Sequence, residues 1–262
     1  MPHDLINIQD TCAGVAPELV PLRIHHSSST TRSFLAILTE SIYAGIEREH
    51  QNWFHPSEWL RVNALKVEKR RKEFVLGRCA CKLATSAYLE EPHLAHLVIN
   101  AGIFGQPILR FLSDCHPELS ITHTDTVALA VASEQGCPIG LDIEKLTDRN
   151  TDFLVEHVTQ SDLRQLAGVT PNVSHAYFRV WTIKEALSKV LRCGITIPFA
   201  LLELESPTVI DANSFYCGYR NFPQYRCYSW SLGQYLIAIV APRNVSLEVD
   251  SGLLLSRLVQ GA

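Results

Sequence analysis

The chain has 262 residues, 47% of them hydrophobic and 19% charged, with a formal net charge of −4. This composition excludes disorder and is long enough for one large core or two small ones. A weakly negative chain has no global basic field to hold nucleic acid or membrane, so any polyanion must be met by a local patch. In chain order, residues 1–33 read as an irregular lead-in, with a solvated polar run from His25-His26 to Thr31 and then a short strand over Ser33–Leu38. Residues 57–90 read as one helix, carrying the basic run Lys66, Lys69, Arg70, Arg71, Lys72, with Phe74, Leu83 and Ala87 near helical spacing and Pro92 as its stop. Leu97–Ile99 reads as a strand, and Gly105 with Pro107 as a turn. His123 falls in the polar stretch Ile121–Asp125, and Thr126–Ala132 is a small-residue apolar run expected as a buried strand. Gly136-Cys137-Pro138 turns into a strand at Gly140–Lys145. Helices follow over 152–167 and 174–192, the second closed near Gly194. Strands are expected at Leu201–Leu204, Tyr225–Leu232 and Gln234–Val240, the last two forming a hairpin across Gly233, before the apolar tail Leu253–Leu258.

Strands and a long helix, then strands, helices and a hairpin, fit α+β and not parallel βαβ units. The best boundary is Gly136–Pro138, giving halves 1–137 and 138–262. The longest apolar stretches, such as Tyr235 to Pro242, are too short for a membrane span, and the start Met1-Pro2-His3-Asp4-Leu5 has no signal core. Eight scattered cysteines without a CxxC pair read as reduced, structural thiols, which points to the cytoplasm.

Two short motifs carry the chemistry. In Gly140-Leu141-Asp142-Ile143-Glu144-Lys145 the acids alternate with aliphatics, so a strand sends both carboxylates to one face. In Trp181-Thr182-Ile183-Lys184-Glu185-Ala186-Leu187-Ser188-Lys189 a helix sets Glu185 and Lys189 one turn apart, with Trp181 one turn before. If strand and helix meet, three hard oxygen ligands gather beside an ammonium, a set suited to Mg²⁺ and a phosphorylated substrate. Alternating acids are often a solvated edge, and Glu four residues before Lys is a common surface pair worth roughly 0.2–0.5 kcal/mol. The apolar run ahead of Asp142 and the Trp beside Glu185 favour the functional reading, because acids inside a sheet need a cation or donors. His123 and the basic run are weak signals alone, read first as solvated groups. No Gly-rich phosphate cradle is present, so phosphate binding would depend on metal and side chains.

The ordered set Pro138-Ile139-Gly140-Leu141-Asp142-Ile143-Glu144, then Trp181 to Lys189, resembles the 4′-phosphopantetheinyl transferases, and within them the larger single-chain class of surfactin-type and enterobactin-synthetase-type enzymes. Phe104-Gly105-Gln106-Pro107 resembles the family's Gly-Lys-Pro turn, Thr122-His123-Thr124 its Ser-His-Ser turn, and Arg70-Arg71 through Gly77-Arg78 its N-terminal helix. Gln106 stands where the family has Lys, and threonines replace the serines at 122 and 124. The resemblance implies two similar halves related by a pseudo-twofold axis, each a small, mostly antiparallel sheet packed with a long helix, with coenzyme A in the cleft between them. It implies transfer of phosphopantetheine from coenzyme A to a serine of an apo acyl or peptidyl carrier protein, with release of 3′,5′-ADP; two halves in one chain make a monomer sufficient for a complete cleft. By the same resemblance Asp142, Glu144 and Glu185 hold Mg²⁺, Glu185 is the general base, and Lys189 stabilises the leaving group. Arg71, Arg78, Thr122, His123 and Lys184 join Lys189 as coenzyme A contacts in the N-terminal, coenzyme A-binding half and the C-terminal, catalytic half. Alternatives are a non-catalytic coenzyme A or carrier-binding module on this fold and a Mg²⁺-dependent phosphodiester hydrolase.

Overall fold

The computed structural model describes residues 18–25, 30–111, 114–147 and 152–260. The expected irregular stretch at 1–17 and His26 lie outside these residues. The chain divides into two compact units, one built on Thr30–Gly136 with residues from both chain ends, the other on Cys137–Leu247.

In the first unit, β1 (Glu18–His25) and β2 (Thr30–Thr39) lead into three short helices, α1 (Tyr43–Arg48), α2 (His50–Trp53) and α3 (Pro56–Ala64), and then the long α4 (Glu68–Leu89). The expected irregular lead-in is corrected for residues 18–25: Val20, Leu22 and Ile24 are buried in alternation with exposed Pro21 and Arg23, which is strand periodicity. The single helix expected over 57–90 is two, broken where Leu65 and Val67 take extended backbone angles. α3 starts on Pro56 and a capping box between His55 and Glu58. Beyond α4 come β3 (Val98–Ala101), β4 (Pro107–Arg110), β5 (Glu118–His123) and β6 (Val127–Ser133). β3 and β4 form a hairpin, and Gly105 in its turn has φ +82°, a left-handed angle that favours glycine. β6 is buried along its whole length and pairs with β2, setting Ala36 opposite Ala130 and Leu38 opposite Ala128 in the apolar core under α4.

The second unit opens with β7 (Gly140–Lys145), then α5 (Asp152–Val155), α6 (Gln160–Leu166) and the long α7 (Val173–Val190). The helix expected over 152–167 is interrupted because Thr159 caps α6 in a box with Asp162. Asn172 caps α7 by accepting from the His175 N–H. β8 (Thr208–Val209), β9 (Ser214–Gly218), β10 (Tyr225–Leu232) and β11 (Tyr235–Pro242) complete the sheet, ordered β7-β11-β10-β9-β8 and antiparallel throughout. The hairpin between β10 and β11 turns at Gly233, φ +60°. The strand expected at Leu201–Leu204 is instead a 3-10 turn over Phe199–Leu202, with Leu204 in an isolated bridge to Tyr219. The first unit's strands are ordered β1-β2-β6-β5; after the short strand β12 (Ser246–Glu248) the apolar tail is the amphipathic α8 (Ser251–Gln260). Leu254 and Leu258 of α8 are buried, and Glu248–Ala262 groups with the first unit, whereas the sequence placed it with the C-terminal half. Among the described residues no helix is long and apolar enough to cross a membrane, and the described cysteines are free thiols.

Each long helix buries one lysine completely. Lys82 of α4 donates to Glu58 at 2.6 Å and to the carbonyls of Leu94 and Leu97. Lys184 of α7 donates to Asp162 at 2.6 Å and to the carbonyls of His157 and Phe199. A buried ammonium is tolerable only with such a full set of oxygen partners.

Candidate active site

β7 and α7 approach so closely that a Cβ on Gly140 would lie 1.9 Å from the Ala186 carbonyl oxygen. Only glycine fits there, and it sets the strand's acids directly against the helix face that carries Glu185 and Lys189. β7 pairs with β11, Asp142 opposite Ala238 and Glu144 opposite Leu236, while Leu141 and Ile143 point to the other face and are buried. Lys189 reaches back to donate to the Leu141 carbonyl at 2.9 Å and to Asp142 Oδ1 at 2.7 Å. Trp181, one turn before Glu185, donates its indole N–H to Glu144 Oε1 at 3.0 Å. Glu185 Oε1 is buried without a hydrogen-bond partner.

The three acids share one electrostatic environment. Burial, reinforced by the charge of Asp142, pushes Glu144 from 4.5 to about 7 although the indole and Lys189 pull the other way. Burial and Asp142 likewise push Glu185 up to about 7, against Lys189. Two carboxyl groups poised near neutrality beside an ammonium can take up a proton or accept a hard cation.

Other sequence candidates stand elsewhere. Lys184, expected at coenzyme A, is corrected: it is fully buried, its ammonium engaged by Asp162, Phe199 and His157, with no face left for a ligand. One residue along a helix turns a side chain by about 100°, so Lys184 points away from the face of its neighbour Glu185. Arg71, Arg78, Thr122 and His123 all belong to the first unit. Arg78 is buried, with its guanidinium over Phe74 and Nη1 donating to the Asn100 carbonyl, and desolvation lowers its pKa. Arg71 pairs with Glu47 at 2.9 Å over the Trp59 ring. Thr122 is buried and His123 exposed at the end of β5, a strand terminus and not the expected turn. The basic run is largely answered within its own unit: Lys69 pairs with Asp125 and Lys72 with Glu40. Gln106 folds back over Gly102 and accepts from the Phe104 N–H, so it shapes its own turn. Sequence reasoning did not find Asp162 or the Trp181–Glu144 bond. The capping-box spacing Thr159 to Asp162 was a readable signal for the first; nothing local announces the second.

The profile of the ACPS family, described as the 4′-phosphopantetheinyl transferase superfamily, matches residues 138–240, the stretch that holds all four groups of this cluster. Over this stretch, which is under half of the chain, the sequence is similar to the 4′-phosphopantetheinyl transferase superfamily. No curated protein matches it. Among solved structures it is similar to a holo-(acyl-carrier-protein) synthase from Bacillus anthracis str. Ames in complex with CoA (3′,5′-ADP), with 23% identity, TM-score 0.35 and coverage of 45% of this chain and 96% of that one. It is also similar to the holo-[acyl-carrier-protein] synthase of Thermotoga maritima, with 20% identity, TM-score 0.30 and coverage of 54% and 76%.

Proposed function

We propose that this chain moves 4′-phosphopantetheine from coenzyme A to a serine of an apo acyl or peptidyl carrier protein, with Mg²⁺, releasing 3′,5′-ADP. The observation that carries this reading is the single desolvated cluster of Asp142, Glu144, Glu185 and Lys189 on β7 and α7. Among the described residues no three His, Cys, Asp or Glu side chains form a ready-made metal cage. Mg²⁺ does not need one, since it is held by one or two carboxylates together with substrate phosphates and its own waters. The buried, unpartnered Oε1 of Glu185 and the all-oxygen donor set fit such a site. Asp142, Glu144 and Glu185 would hold the ion against the pyrophosphate, where it would neutralise charge on the phosphate oxygens.

Glu185, with its pKa near neutrality, takes the proton of the carrier serine as that oxygen bonds to the pantetheine-bearing phosphorus. The bond from that phosphorus to the bridging oxygen breaks, and 3′,5′-ADP leaves with the electron pair. Lys189, anchored on Asp142 and Leu141, supplies positive charge where the leaving phosphate gains negative charge. Free thiols in the described residues agree with a cytoplasmic protein.

The test is incubation with coenzyme A, Mg²⁺ and a panel of apo-carrier proteins from fatty-acid, polyketide and peptide pathways. A carrier that gains the phosphopantetheine mass while 3′,5′-ADP appears supports the reading. Release of 3′,5′-ADP without any carrier would point to hydrolysis, and binding of coenzyme A without turnover to a binding module.

A further inference from the structure

Trp181 is half-buried, and its indole N–H, the ring's one donor, is committed to Glu144. The ring cannot easily turn away from that bond. His157 packs against it at 5.3 Å and Phe199 at 5.2 Å between centroids. Those two residues are in turn fastened through their backbones, because the His157 and Phe199 carbonyls are the neutral acceptors of the buried Lys184 ammonium. Asp162, fully buried, closes the arrangement by balancing the Lys184 charge. A continuous path of contacts therefore leads from a buried ion pair, through two ring-bearing segments, to one oxygen of a strand carboxylate.

We infer that Trp181 is a positioning residue, held by the Lys184–Asp162 lock, that aims Glu144 by occupying its Oε1 and leaving the other oxygen for the metal ion. Groups that hold a ligand's orientation typically change metal affinity by about 10–100-fold when removed. A half-buried ring on its own would need only packing; the hydrogen bond to a desolvated acid is what assigns the role. α7 thus contributes twice to the site, once through Glu185 and once, a turn earlier, by orienting the acid on the neighbouring strand. The inference rests on the metal-dependent reading above, and the experiment separates the two.

Mn²⁺ binding in the presence of coenzyme A, without carrier, is measured by electron paramagnetic resonance for the wild type, Trp181→Phe, Glu144→Ala and the double variant. The expected result is weakening by about tenfold in Trp181→Phe, with little further loss when Trp181→Phe is added to Glu144→Ala. Equal affinity in wild type and Trp181→Phe, or penalties that simply add, would overturn the inference while leaving the proposed function intact. No Mn²⁺ binding by the wild type would overturn the proposed function and this inference with it. Should Trp181→Phe not fold, the indole ¹⁵N–¹H resonance of Trp181, assigned through its contacts with His157 and Phe199, decides the matter. It moves on Glu144→Ala and on adding Mg²⁺ with coenzyme A; a resonance unmoved by both sinks the inference.

Discussion

The two long helices carry the same buried lock and face opposite kinds of strand. In the first unit Lys82 of α4 meets Glu58, the third residue of a helix capped in a box by His55, whose second oxygen accepts from the Ile99 N–H. In the second unit Lys184 of α7 meets Asp162, the third residue of a helix capped in a box by Thr159, whose second oxygen accepts from the Leu204 N–H. In each case backbone carbonyls complete the lysine's shell. The strands under the helices differ. β2 offers Ala36 and Leu38 to the core below α4, whereas β7 offers Asp142 and Glu144 to α7. The lock is therefore scaffold, able to hold a helix whether or not chemistry stands beside it. The candidate site is a few acids, one lysine and one indole placed on one of two similar frames.

The first way to break this comparison is Glu185→Gln. Chemistry confined to β7 and α7 predicts a loss of about 10²–10⁴-fold in initial rate of carrier modification, at unchanged melting temperature. A near-wild-type rate would remove Glu185 from the mechanism.

Lys82→Met and Lys184→Met each strand a buried carboxylate, so each should destabilise by about 3–5 kcal/mol in urea unfolding. If the two locks are equivalent the penalties match. A penalty much smaller at Lys82 would show that only one of them holds its helix.

Gly140→Ala forces a Cβ into the Ala186 carbonyl, and strand and helix must part; a cost of about 1–3 kcal/mol and a marked loss of rate are expected. On the first unit, Gly77→Ala meets the Ile121 Cγ2 at 3.1 Å and the His123 Cδ2 at 4.0 Å, side-chain atoms that can shift. The helix propensity gained there, about 1 kcal/mol, should leave unfolding stability nearly unchanged. Equal damage from both replacements would contradict the closer fit claimed for β7 on α7.

The mildest test is pH. Glu144 and Glu185 are raised from 4.5 to about 7, so across that interval the folded chain keeps protons that the unfolded chain releases. Their stabilising contribution is whole below pH 4.5 and is lost as pH rises through about 7 in metal-free protein. Mg²⁺ with coenzyme A should raise the melting temperature at pH 8 and hardly at pH 5, where protonated acids are poor ligands. Replacing both acids by Gln should flatten the metal-free profile. A profile that keeps its fall would locate the titrating groups elsewhere.

Much of the second unit was legible in sequence. The alternation around Asp142 and the helical spacing of Trp181, Glu185 and Lys189 define which side chains share a face, because strand and helix periods are local properties. The turn at Gly233 and the buried run of β6 were equally plain, the one from a glycine between two apolar strands and the other from unbroken small apolar residues. β1 was missed although Val20, Leu22 and Ile24 alternate, since Pro21 and the polar run after it looked irregular. The helix over 57–90 was read as continuous because the break at Leu65–Val67 contains neither Gly nor Pro.

By itself, then, the sequence determined which residues could act together: periodicity put the acids on one face of β7 and Glu185 with Lys189 on one face of α7. Only the tertiary structure decided which partner each group meets. It sent Lys184 to Asp162, 22 positions away, Trp181 to Glu144, 37 away, and Lys189 to Asp142, 47 away. Those choices depend on how closely β7 and α7 pack and on which polar groups burial leaves in need of a partner. Neither is encoded in local spacing, and burial is what turns ordinary glutamates into groups poised near neutrality.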